Sequence, residues 1–279
     1  MWVDSHCHLE SYENLPQVLA NAHAAQVDTL LAIGIGEGPQ EMNRALELAH
    51  AHPQVIKIFA TAGIHPQEAH QATPDALAKL EELAGDPRCL AIGEIGLDYY
   101  HVQNPEIETQ KAAFIAQLQI AAAAHKPITI HCRTSELATP AAKARFGPAD
   151  AWEDLLSLLA QHWTPTGLPG IMHCFSGNQD QAARSLAAGF YLSFAGNVTY
   201  PRSTTIQEIV RTAPVDRILV ETDAPFLTPE PLRGQQNEPA HVALTGKFVA
   251  QLRGVSPLDL AAQTTANFHT LFPTAQTAR

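Results

Sequence analysis

Ile218-Leu219-Val220-Glu221-Thr222-Asp223 is the last of eight short apolar runs in the chain, and it delivers a carboxylate to the point where a strand gives way to a loop. Five further residues of metal-ligand type are placed in the same way. His6 and His8 follow Met1-Trp2-Val3, and Glu94 ends Cys89-Leu90-Ala91-Ile92-Gly93. His131 follows Pro127-Ile128-Thr129-Ile130, and His173 follows Leu168-Pro169-Gly170-Ile171-Met172. For Asp223 to join His6, the first and last strands must be neighbours. A parallel sheet closed into a (β/α)8 barrel meets that demand, because every strand's C-terminal end reaches one face. An open doubly wound sheet fits the periodicity equally well, but it holds its first and last strands apart unless its order juxtaposes them. The reading is therefore an α/β fold, a (β/α)8 TIM-like barrel.

The rest of the chain agrees with alternation. Strands are expected near 1–6, 27–35, 55–62, 89–94, 128–132, 169–174, 190–194 and 217–222, mostly apolar on both faces as a covered parallel sheet requires. Helices are expected near 14–25, 40–51, 74–84, 106–125, 150–162, 178–188 and 203–212, with two more at 239–253 and 257–271. The clearest has Ile107, Lys111, Phe114, Ile115 and Leu118 on related faces, and Asn104-Pro105 precedes it as a start signal.

At 279 residues the chain suits one barrel, and residues 1–279 read as a single domain, since no linker divides them. The Pro- and Gly-rich stretches Trp163 to Gly170 and Thr228 to Pro239 are short enough to be active-face loops. Cys7, Cys89, Cys132 and Cys174 show no paired-ligand spacing, so reduced thiols packed in the core of a cytoplasmic protein are expected. No apolar run approaches membrane-spanning length, and no membrane association is expected. The net charge of -11 argues against a broad electrostatic footprint for nucleic acid. A polyanionic substrate must be gripped locally, and bound cations would supply the charge.

His6 and His8 alternate along a strand, so both rings face the barrel mouth while Cys7 points away. Alone, His-x-His fits histidines satisfied by ordinary hydrogen bonds as well as it fits ligands; the four other positions tip the balance. Together the six residues form a mixed imidazole and carboxylate site for one or two divalent cations. Glu94 sits among small residues, and a carboxylate can bridge two cations where an imidazole cannot. Asp98 reads as support for the site or as a turn residue. Asp223 can both bind a cation and accept a proton, whereas Glu221 reads as support or as a buried carboxylate bonded to backbone. Tyr99, Tyr100, Phe175, Phe194, Tyr200 and Phe226 lie near strand ends and are candidates for stacking nucleobases if exposed.

Several motifs resemble those of the TatD-type metal-dependent hydrolases of the amidohydrolase superfamily, in that family's order and over almost the whole chain. They are Val3-Asp4-Ser5-His6-Cys7-His8-Leu9, Gly63-Ile64-His65-Pro66, Gly93-Glu94-Ile95-Gly96-Leu97-Asp98-Tyr99, His131-Cys132-Arg133, His173-Cys174-Phe175-Ser176-Gly177, Glu221-Thr222-Asp223-Ala224-Pro225, and Arg233-Gly234 with Asn237 and Pro239. The resemblance implies a distorted barrel and two metal positions. His6, His8 and Asp223 would hold one, His131 and His173 the other, with Glu94 between them. It also implies a deoxyribonuclease, often a 3′ to 5′ exonuclease on single strands, with RNA or aminoacyl-tRNA as substrates of some relatives. Two departures stand out: His101 where many relatives have arginine, and a longer stretch from Leu137 to Asp150 that adds a loop or short helix on the active face.

The expected chemistry is two-metal phosphodiester hydrolysis with Asp223 and Glu94 as catalytic residues and His65 and Arg133 holding the phosphate. Zinc, manganese, magnesium and nickel all suit the ligand set, and no protein partner is required. Attack on a carboxylic ester or amide, including a misacylated tRNA, would use nearly the same site. A non-catalytic metal-stabilised interaction module fits poorly, because six candidate ligands at a barrel mouth leave open positions.

Overall fold

A computed structural model describes residues 1–36, 38–51, 56–134 and 139–277. Eight strands run in the order of the chain, each parallel to the next: β1 (Trp2–Cys7), β2 (Val27–Ala32), β3 (Lys57–Ala62), β4 (Cys89–Asp98), β5 (Ile128–Arg133), β6 (Gly170–Met172), β7 (Phe190–Phe194) and β8 (Ile218–Val220). The ring closes by a seam. β8 and β1 meet through a parallel bridge between Cys7 and Ala224, with Asp223 N–H donating to His6 O (2.9 Å) and His8 N–H to Ala224 O (2.8 Å). The result is the distorted (β/α)8 barrel expected.

Helices cover the outside: α1 (Leu15–Ala24), α2 (Arg44–Ala51), α3 (Pro74–Ala84), α4 (Ile107–Ala123), α5 (Pro140–Phe146), α6 (Ala151–His162), α7 (Gln179–Ala187) and α8 (Thr204–Thr212). Three more end the chain: α9 (Val242–Arg253), α10 (Pro257–Leu271) and α11 (Pro273–Thr277). Their starts are written in the sequence. Thr73, Thr139, Asp150 and Ser256 each accept a hydrogen bond from a first-turn amide, and a proline follows three of the four.

Alternation along the strands divides the core in two. One set faces the helices, including Cys7, Leu30, Ile58 and Ile92. The other fills the lower barrel with Val3, Leu31, Phe59, Ala91, Ile171, Tyr191 and Leu219, and Phe268, Leu271 and Phe272 of the C-terminal helices pack against these as a floor. Above the floor the filling turns polar: Ser5 and Ser193 share a hydrogen bond at 2.9 Å. The mouth opens beyond them.

Several expected boundaries move. β2 stops at Ala32 rather than 35, α2 begins at Arg44 after a turn rather than at 40, and Pro239–His241 form a 3-10 turn ahead of α9. The stretch Trp163 to Gly170 leads from α6 into β6, so it lies at the N-terminal end of the strands, opposite the mouth, and is not an active-face loop. Position 55 of the third expected strand and 137–138 of the longer stretch lie outside the described residues; the remainder of that stretch contains α5. Among the described residues no helix is long and apolar enough to cross a membrane.

Candidate metal centre

Glu94 does not end its strand. β4 runs on to Asp98, with its register against β5 shifted between Ile92 and Ile95, so Glu94 projects from an irregular mid-strand position. The glycines around it serve the neighbouring strand: a Cβ on Gly96 would lie 1.9 Å from His131 O, and one on Gly93 would lie 2.6 Å from Thr129 O. Only glycine lets β4 and β5 approach this closely.

The buried Glu94 carboxylate is the hub. Its Oε2 lies 3.3 Å from His6 Nε2. Its Oε1 lies 2.7 Å from His131 Nδ1, 3.2 Å from His173 Nε2 and 3.6 Å from His65 Nε2. Asp223 Oδ1 stands 3.5 Å from His8 Nε2 and 3.7 Å from His6 Nε2. Three groups each have ligand atoms within 4.8 Å of one another: His6, His8 and Asp223; His6, His173 and Glu221, which shares His6 with the first; and His65, Glu94 and His131. All six expected ligands therefore converge. His65 joins them too, beside His131, whereas Arg133 is exposed and lays its guanidinium 3.6 Å above the Tyr100 ring, with Nη1 3.2 Å from His101 Nε2.

Supporting groups hold this arrangement. Asp98 is buried, 3.3 Å from His131 Nε2, and accepts from Tyr100 N–H and from Gln67 Nε2, so it supports the site and ends the strand at once. Glu221 lies 2.8 Å from His173 Nδ1 and accepts the Cys174 amide at 2.8 Å, uniting its two expected readings. Asp4 stood in the sequence only as part of a motif. It accepts from Thr222 N–H and Oγ1–H (2.9 and 2.6 Å) and from His6 N–H, tying β1 to the loop that carries Asp223. A charged residue inside an apolar first strand was its signal. Asn237, known only as part of a motif, donates from Nδ2 to Thr222 O and Phe226 O, clamping the loop on both sides of Asp223, whose φ of 53° is left-handed.

Charge follows geometry. Burial alone would raise Glu94, but the His173 charge and the imidazoles of His131, His173 and His6 set against it hold its carboxyl well below the usual range. Burial opposes a proton on His8, yet Asp223 and Glu10 raise it to about 10. The same contest at His131, decided by Asp98 and Glu94, leaves it raised to about 9.

The thiols split. Cys7 and Cys89 are buried in the outer core, and Cys132 packs against it half-buried. Cys174 departs from the expected core role: β6 ends at Met172, so strand alternation no longer applies, and at a φ of 42° its sulfur accepts from Asn197 Nδ2 at 3.6 Å.

The donor set fits a cation on a direct observation. Both ring nitrogens of His6 and Oε2 of Glu221 are buried without a hydrogen-bond partner, whereas His173 Nδ1 has the Glu221 carboxylate 2.8 Å away. Leaving such atoms unmet costs about 1–3 kcal/mol each. A divalent cation meets imidazole nitrogen and carboxylate oxygen together.

The family model described as TatD related DNase matches residues 3–273. The chain belongs to that family. It is 35% identical over 275 residues to the metal-dependent hydrolase YabD of Bacillus subtilis strain 168, covering 98% of this chain and 99% of YabD. It is 37% identical over 261 residues to the 3′-5′ ssDNA/RNA exonuclease TatD of Salmonella typhimurium strain LT2, covering 91% of each. The crystal structure of YjjV, a TatD homologue from Escherichia coli K12, superposes with a TM-score of 0.83 at 26% identity, covering 98% of each chain. As a member of the TatD family, the chain is a metal-dependent hydrolase.

Proposed function

We propose that this TatD-family protein is a nuclease that uses two divalent cations to hydrolyse phosphodiester bonds, removing nucleotides from the 3′ end of single-stranded DNA. The observation that carries the reading is the division of Glu94, one oxygen towards His6 and the other towards His131, His65 and His173. His6, His8 and Asp223 would hold one cation and His131 and His173 a second, with the Glu94 carboxylate within reach of both groups. Kinship with proteins named as 3′-5′ ssDNA/RNA exonucleases supports the substrate class.

Bound cations supply Lewis acidity at the phosphoryl oxygen and acidify water; zinc, manganese, magnesium and nickel all suit the ligands. Asp223 receives the proton of the attacking water at its carboxylate, and the surrounding histidines that hold it below its ordinary range, against burial, keep it ready to accept. Asp98 and Glu221 fix the rings of His131 and His173. His65 lines the site as a phosphate contact, and Arg133 offers a guanidinium further out. Residues 1–279 act as one barrel domain in the cytoplasm without a required protein partner, a setting supported by four free thiols.

The test is hydrolysis of 3′-labelled and 5′-labelled single-stranded oligonucleotides by metal-stripped protein, with each cation added back. Metal-dependent laddering from the 3′ end, abolished in Glu94→Ala and cut at least a hundredfold in Asp223→Asn, is the expected result. Intact DNA and RNA under every cation, alongside cleavage of acyl esters, would replace the reading with ester hydrolysis.

A further inference from the structure

Six aromatic rings near strand ends were candidates for base stacking, and their environments separate them. Tyr99, Phe175 and Phe194 are buried. Tyr100 carries Arg133 over its ring at 3.6 Å, and Tyr200 carries Arg233 over its ring at 4.2 Å. Phe226 is 58% exposed.

A single exposed apolar side chain on a loose loop means little. Phe226 is not on a loose loop. Its N–H donates to Asp223 O at 2.8 Å and its carbonyl accepts from Asn237 Nδ2 at 2.6 Å. Its ring stands edge-on to His8, 6.0 Å between centroids and 73° between planes. The backbone is fixed, the ring adjoins a candidate ligand, and its surface faces solvent. The chain carries 17 Lys and Arg against 28 Asp and Glu, a balance that argues against a broad positive surface as the grip on a polyanion. Stacking is the remaining strong interaction open to an acidic protein, and it tolerates any base.

Resting on the nuclease reading above, we propose that Phe226 is the specificity-determining platform for the base beside the scissile phosphodiester. A free end can lay its base on the ring with no base pair to break. A paired end must first unstack and unpair, so the ring selects single strands over duplex.

The test places 2-aminopurine, whose fluorescence is quenched by stacking, at the 3′-terminal or penultimate position of single-stranded oligonucleotides, and titrates metal-free and metal-loaded protein. Quenching is expected for wild type and Phe226→Trp and is lost in Phe226→Ala and Phe226→Leu, whose folding is checked by thermal unfolding. In turnover, Phe226→Ala lowers kcat/KM on single strands about 5- to 100-fold. That loss disappears when the stacking nucleotide is abasic, and the preference for single strand over blunt duplex shrinks with it. Equal losses on abasic and normal substrates, quenching unchanged in Phe226→Ala, or no oligonucleotide binding would overturn the proposal. Phe226-dependent quenching without hydrolysis would retire the nuclease reading alone; hydrolysis without quenching would retire the platform alone.

Discussion

Glu221 Oε1 stands 2.8 Å from Nδ1 of His173, both groups buried against the barrel wall. A carboxylate behind an imidazole fixes the ring and leaves the opposite nitrogen, here Nε2, free to serve as a ligand. Glu221→Gln keeps the shape and removes the charge. Cation affinity is expected to fall about 10- to 100-fold with secondary structure intact. Competition against a chelating dye measures it, and an unchanged affinity would remove Glu221 from the site.

Cation binding should strengthen as pH rises. His8 is raised to about 10 and His131 to about 9 in the cation-free protein, so at neutral pH both rings hold a proton. A ligand nitrogen must be bare, so each bound cation expels protons, and binding weakens on the acid side. Affinity is expected to climb steeply up to about pH 9, where His131 loses its proton, more gently to about pH 10, where His8 does, and to level off above. Calorimetry in buffers of different ionisation enthalpy reads the released protons; a flat profile with no proton release contradicts the arrangement.

Gly96→Ala should damage both fold and site. The added methyl would lie 1.9 Å from His131 O, at a backbone φ of 144°. Overpacking and backbone strain together are expected to cost about 3 kcal/mol or more. Urea unfolding gives the loss directly, and cation affinity should fall with it because His131 is displaced. Near-wild-type stability would mean that β4 can yield.

Asn237→Ala separates positioning from stability. Two carbonyls, on Thr222 and Phe226, lose their donor, at about 1–3 kcal/mol of stability. The larger expected effect is catalytic: with Asp223 free to drift, kcat falls by about 10- to 100-fold while KM changes little. A KM effect alone would point to substrate contact instead.

Much of this site was legible in the primary structure, for a physical reason. Strand ends are marked by apolar runs, and a closed parallel sheet sends them all to one face, so His6, His8, His131, His173 and Asp223 needed only correct strand counting. Glu94 was harder: the shifted register between Ile92 and Ile95 extends β4 past it, and no periodicity announces that irregularity. Cys174 was misread for the related reason that alternation stops with β6 at Met172. The loop from Trp163 to Gly170 has the composition of an active-face loop, but composition does not say which end of a strand a loop adjoins. Asp4 and Asn237 act through backbone atoms distant in sequence, and such partners emerge only when the ring has closed.

That closure also orders the assembly of the site in time. His6 and His8 are made first among the candidate ligands and Asp223 last, and the two ends of the ring meet where β8 closes on β1 beside the bridge of Cys7 and Ala224. A nascent or truncated chain lacking β8 lacks the carboxylate that faces His6 and His8, and with it one complete set of ligands. A chain without β8 therefore cannot assemble that set of ligands, whatever else of the barrel it has formed.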